Sequence, residues 1–251
     1  MITLSVITEM ATTRIYVDLD LATGKSLELP EAAGHHVARV LRMRIDESLI
    51  LFNGQGGEYT AKILSIHKSN VEVKVLSFSD VERESSIQVE LLQGLSKGEK
   101  MDFTIQKAVE LGVNKIVPLI TTYSNVKLDP KRLDKKLDHW RKVIISACEQ
   151  CGRNKIPELV KVMKLDDGLA SSEADLKLIL APDAEGLLSD LTGKPEMINI
   201  VIGPEGGFSQ SEIQSLTKSG FTGIRLGPRI LRTETAALAT VAALQNQFGD
   251  Y

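Results

Sequence analysis

Between residues 115 and 202 the chain carries three short runs that are apolar with few interruptions: Lys115–Ile120, Leu176–Leu180 and Met197–Ile202. A strand with one face in water alternates apolar and polar residues. A strand covered on both faces does not, so such runs demand a sheet with helices on each side. Residues 87–92 read as a further strand beside them. The stretches between keep helix period. Met101, Ile105, Ala108, Val109 and Gly112 fit one helix with Gly112 just past its end. Leu133, Leu137, Trp140, Ile144 and Ala147 step by four and three along a longer one, whose other side carries Lys131, Lys135, Lys136, Arg141 and Lys142. This βαβα alternation predicts an α/β domain built on a parallel sheet.

The first 80 residues follow a different rule. Strands are expected at 14–17, Ser48–Phe52, 59–66 and 71–75, the last alternating Val71, Val73 and Val75 with Glu72 and Lys74. The tight loop Asn53-Gly54-Gln55-Gly56-Gly57 suits backbone at positive φ. Residues 34–42 read as a short helix with Val37, Val40 and Leu41 on one face and Arg39 and Arg42 opposite. Closely spaced strands with one short helix predict a small β-barrel over 14–80. The polar stretch 80–85 is the expected linker, 86–251 the second domain and 1–13 an N-terminal extension.

With 251 residues, 43% hydrophobic and 25% charged, the composition is that of an ordinary globular protein of one large or two modest domains. No run approaches the ~20 apolar residues of a membrane span. The N-terminus lacks a basic segment and is interrupted by Glu9, which argues against a signal peptide. Two cysteines exclude a disulfide scaffold and point to a reducing compartment, so a cytoplasmic location is expected. The net charge of −3 speaks against a nucleic-acid partner. Yet residues 85–160 hold 13 Lys/Arg against 9 Asp/Glu, a basic segment between two acidic ones. It fits a solvated helix surface or a binding face.

Two glycine–proline segments follow strand-like runs. Ile202-Gly203-Pro204-Glu205-Gly206-Gly207 runs into Ser209-x-x-Glu212, a capping box opening a helix. Leu226-Gly227-Pro228-Arg229-Ile230-Leu231-Arg232-Thr233-Glu234-Thr235-Ala236 leads into another helix, capped by Thr233 or Thr235, with Glu234 at its positive end. That helix is apolar almost all round over 236–244, so the sheet or a second subunit must cover it. Each loop alone fits a plain strand–helix turn as well as a ligand loop. Two at neighbouring strand ends would form one pocket, where ligands of parallel sheets bind. No GxxxxGK[ST], GxGxxG or HExxH pattern occurs. Cys148-Glu149-Gln150-Cys151 closes a helix rather than opening one and has no second ligand pair, so no metal site is expected. Ser146 to Arg153 also fits a substrate-facing turn. His35-His36 reads as surface and His139 as structural.

Taken together, residues 98–107, 147–153, 202–207 and 226–235 resemble the ribosomal RNA small-subunit methyltransferase E family, and Arg14-Ile15-Tyr16 and 36–42 match it too. The resemblance runs from about residue 14 to the end. It implies an N-terminal PUA-like barrel and a C-terminal SPOUT domain with a deep trefoil knot, an exception to the rule that chains avoid knots. It implies a cytoplasmic homodimer that methylates N3 of a uridine in 16S ribosomal RNA of the small subunit, using S-adenosylmethionine and no metal or membrane. The cofactor would lie among Leu180, Ala181, Pro182, Ile202, Gly203, Pro204, Glu205, Gly206, Gly207, Leu226, Gly227, Arg229, Leu231, Arg232, Thr233, Thr235 and Ala236. Arg232 is the first catalytic candidate, with Glu205 or Glu234 to take a proton or orient it. Arg14, Arg39, Arg42, Lys97, Lys100, Lys107 and Arg153 are the candidate RNA contacts. Two alternatives stand beside this reading: a knotted methyltransferase of another RNA such as transfer RNA, and a non-catalytic RNA-binding factor.

Overall fold

A computed structural model describes residues 13–124, 129–170 and 172–251. The expectation for residues 1–12 lies outside the described residues. The chain divides into two compact units: one holds the chain up to Arg83 together with Cys148–Lys155, the other Glu84–Ala147 and Ile156–Tyr251.

The first unit is a five-stranded sheet. Its strands are β1 (Arg14–Tyr16), β2 (Ser26–Glu28), β3 (Ser48–Phe52), β4 (Glu58–His67) and β5 (Asn70–Ser79), ordered β1-β3-β4-β5-β2. All five turn alternate residues onto one core, among them Ile15, Leu49, Leu51, Ala61, Ile63, Val71, Val73 and Val75. The pattern is that of strands half in water. The helix expected over 34–42 takes another form. Helix α1 spans only Glu31–His35 and passes into a π turn at His36–Val40, closed by the Leu41 N–H donating to the His36 carbonyl at 2.9 Å. The wider turn breaks the 3.6-residue register. Val37 stays buried, but Val40 and Leu41 are 59% and 40% exposed rather than sharing its face.

Residues Cys148–Lys155 complete this unit. The Tyr16 N–H donates to Glu149, and the Asn154 side chain donates to the Val81 carbonyl at 2.9 Å. Burial raises the Glu149 carboxyl above its ordinary value, against the lowering effect of the Tyr16 N–H and of His36 and Arg14.

The second unit is an eight-stranded sheet whose strand pairs are all parallel. Its main strands are β6 (Gln88–Gly94), β7 (Lys115–Ile120), β10 (Leu176–Leu180), β12 (Met197–Ile202) and β13 (Thr222–Arg225). The short β8 (Glu158–Leu159), β9 (Met163–Lys164) and β11 (Gly186–Leu187) lie at its margins. In the centre the order is β13-β10-β12-β6-β7. Leu92, Val117, Ile179 and Val201 point to one side, where they share a core with α4 (Leu165–Ala170) and α5 (Gln210–Lys218). On the sheet, α6 (Thr233–Phe248) contacts β6 and β12 and packs on α2 (Glu99–Glu110). The apolar face expected of α6 is met by Ala236, Ala237, Val241 and Leu244, all buried. The long helix α3 (Pro130–Cys151) buries Leu137, Trp140, Ile144 and Ala147. His139 and the Trp140 indole both bond Asp102 of α2, at 2.6 and 3.0 Å, a structural clamp as expected.

Candidate active site

Three strands end together. The loops after β10, β12 and β13 meet around one cavity of about 620 Å³, within the usual range for small-molecule sites. The 203–207 loop can sit on the end of β6 because Gly94 has no side chain; a Cβ there would stand 2.6 Å from the Pro204 ring. Beyond it, Ser209 and Glu212 close the expected capping box at the start of α5. The cap expected at α6 does not form. Arg232 takes the N-cap position without a side-chain bond, and Thr233 is the first helical residue. Its hydroxyl is used elsewhere. It donates to the Gly203 carbonyl at 2.6 Å and accepts from the buried Gln93 amide at 3.0 Å, tying both glycine–proline loops to the end of β6.

The cavity is lined by Leu180, Ala181, Pro182, Ile202, Gly203, Pro204, Glu205, Gly207, Leu226, Gly227, Arg229, Leu231, Arg232, Thr233 and Ala236, all named by the sequence. Gly206, Thr235 and Glu234 do not line it. Gly206 turns toward Tyr123, where a Cβ would stand 2.7 Å from the tyrosine Cβ. Thr235 is exposed, and Glu234 keeps one carboxylate oxygen buried without a hydrogen-bond partner among the described residues. The sequence reading missed Ile179, Asp183, Phe208, Ile213, Arg225 and Ile230, which also line it. Topology decides those positions. β13 lies beside β10, and this brings Arg225, at its very end, into the wall.

The charged lining comprises Lys100, Arg225, Arg229 and Arg232 against Asp183 and Glu205. Lys100 pairs with Glu205 at 3.0 Å. Desolvation pushes the Glu205 carboxyl up, but bonds from its own N–H, Lys100 and the Lys97 N–H outweigh this and hold it below its ordinary value. A carboxylate so held is a weak base. None of the three arginines has an ion pair among the described residues.

The expected RNA contacts sort in two. Lys97, Arg39 and Arg42 are exposed, Lys100 borders the cavity, and Lys107 is partly exposed and paired with Glu110. Arg14 and Arg153 are structural instead. Arg153 is buried. Arg14 lies over the Phe52 ring and binds Glu58, the Asn154 side chain and the Arg153 carbonyl, with its side chain only 11% exposed. Neither guanidinium is open to a phosphate. No cluster of three metal-ligating side chains, and no helix long and apolar enough to cross a membrane, occurs among the described residues.

Known proteins match this chain along most of its length. A family described as an RNA methyltransferase domain matches residues 83–245, and one described as an RNA methyltransferase PUA domain matches 29–76. The ribosomal RNA small subunit methyltransferase E of Buchnera aphidicola subsp. Schizaphis graminum is 39% identical over 94% of this chain and 97% of its own length. That of Bacillus subtilis is 33% identical over 85% and 87%. Among solved structures, a Legionella pneumophila methyltransferase in complex with SAM superimposes with a TM-score of 0.94 at 45% identity, covering 96% of this chain and 99% of its own. The ribosomal RNA small subunit methyltransferase E of Neisseria gonorrhoeae, bound to S-adenosyl methionine, gives 0.90 at 37% identity over 96% and 99%.

Proposed function

This chain belongs to the ribosomal RNA small subunit methyltransferase E family, and from that premise we propose that it transfers the methyl group of S-adenosylmethionine to N3 of a uridine in 16S ribosomal RNA. Residues 14–80 act as the PUA-like RNA-binding barrel and 86–251 as the SPOUT methyltransferase domain, whose loops around the cavity form the trefoil knot. The protein works in the cytoplasm, as a homodimer, on the small ribosomal subunit.

The cavity suits the cofactor. Ile179, Leu180, Ile202, Leu226, Leu231 and Ala236 offer apolar walls for adenine, and glycine-rich backbone lets a ligand approach closely. The observation that carries the reading is electrostatic. S-adenosylmethionine bears more positive than negative charge, yet the cavity holds three arginines without acidic partners among the described residues. Such an excess suits a polyanion entering beside the cofactor.

When bound, S-adenosylmethionine supplies a methyl group on an electrophilic sulfonium. The protein must bring uracil N3 in line with it and stabilise the charge that appears as the N3 proton leaves. Arg232, exposed at the cavity and held at the start of α6, is placed to stabilise negative charge on the flanking uracil carbonyls. Glu205 stays ionised and positions Lys100 rather than accepting the proton, which leaves to water at the open mouth. The purified protein, S-adenosylmethionine and small subunits carrying unmethylated 16S RNA should yield N3-methyluridine by nucleoside mass spectrometry. Methylation of transfer RNA alone, or binding without transfer, would overturn the assignment.

A further inference from the structure

One side chain of the arginine loop touches the cavity but turns most of its surface to water. Ile230 is 84% exposed, the highest exposure of any large apolar residue described. The loop that carries it is anchored on both sides. Ala181 donates to the Ile224 carbonyl at 3.0 Å before it, and Thr233 binds Gly203 after it. Ile230 therefore stands on a held backbone, at the cavity rim, between exposed Arg229 and, two residues on, exposed Arg232.

Three occupants are open to such a tip. The cofactor cavity takes only its inner edge, since 84% of the residue remains open to water. A second copy meeting it loop to loop across a twofold axis would set arginines against arginines, and any other twofold contact would show as a change in the variant's molecular mass. A nucleic acid supplies both chemistries at once, phosphates for the arginines and base faces for the isoleucine. An apolar side chain entering a base stack offsets the unstacking that exposure of a paired or stacked base requires.

We propose that Ile230 is an RNA wedge: it packs against the base next to the reacting uridine and fills the place that uridine leaves, while Arg229 holds an adjoining phosphate and Arg232 stays with the uracil carbonyls. This rests on the RNA methyl-transfer reading above.

The test compares wild type, Ile230→Ala and Ile230→Leu on a folded 16S RNA fragment carrying 2-aminopurine beside the target uridine. Wild type should raise the 2-aminopurine fluorescence on binding. Ile230→Ala should lose that rise and about tenfold in kcat/KM, on the order of one unstacking penalty. With S-adenosylmethionine saturating, both losses should persist, its molecular mass should not change, and Ile230→Leu should keep most of both signals. Full recovery of Ile230→Ala at saturating S-adenosylmethionine would make the residue a cofactor wall only. A fall in molecular mass would make it a contact between copies. Either outcome, or an intact fluorescence rise, overturns the wedge. Absence of methyl transfer by wild type, with S-adenosylmethionine still bound, would instead overturn the RNA reading itself.

Discussion

Arg14 and Arg232 both sit in segments that resemble the same family, but their surroundings differ. In the barrel unit, Arg14 is stacked on Phe52 and bonded to Glu58 and Asn154. In the sheet unit, Arg232 is exposed, borders a cavity and has no acidic partner among the described residues. A family motif marks both as important. The presence or absence of counter-charge separates an arginine that holds the fold from one kept free for a ligand.

The contrast breaks most visibly through activity. Arg232→Ala should lower the methyl-transfer rate about 10²–10³-fold while the far-UV circular dichroism stays native; full activity would remove the catalytic role. Arg14→Ala should do the reverse. Loss of one partner from a mostly buried ion pair costs about 3 kcal/mol in urea unfolding, whereas Arg229→Ala should stay within about 0.5 kcal/mol of wild type. Equal effects on stability would erase the distinction. Next comes Thr233→Val, which leaves the Gly203 carbonyl and the Gln93 amide without their shared partner. It should weaken S-adenosylmethionine binding about tenfold by calorimetry, with Thr233→Ser close to wild type.

Smaller effects sharpen the picture of the barrel. Arg39→Ala and Arg42→Ala should each flatten the salt dependence of RNA binding by about one unit of slope; an unchanged slope would take these exposed arginines out of the interface. The last effect concerns Glu58. Partial burial pushes its carboxyl up, but the bonds and charges of Arg83 and Arg14 outweigh this and hold it below the ordinary value. A depressed carboxyl adds stability that is present above its unfolded pKa and is lost as the pH falls through the folded one. Acid unfolding of wild type should therefore be steeper below about pH 4.5 than that of Glu58→Gln.

The parallel sheet was legible because a strand covered on both faces must be apolar throughout, and Leu176–Leu180 and Met197–Ile202 have the predicted bounds. So was the pocket, since ligand loops of such sheets follow strand ends. Local pattern failed where geometry is set from afar. The π turn at His36–Val40 defeats a reading based on 3.6-residue spacing. The partner that buries Arg14 is Asn154, 140 residues along the chain. Gly206 and Thr235 stand inside motifs whose neighbours line the cavity, and only the turn of the backbone tells them apart.

The assignment of Cys148–Lys155 to the first unit has a consequence during synthesis. All five barrel strands have been made once Ser79 is added. Yet the Tyr16 N–H and the Arg14 guanidinium await Glu149 and Asn154. At roughly 5–20 residues per second the ribosome leaves these groups waiting for about 4–15 seconds. In that interval the barrel is a finished sheet with an unfinished edge, so the first unit to be translated is not the first to be complete.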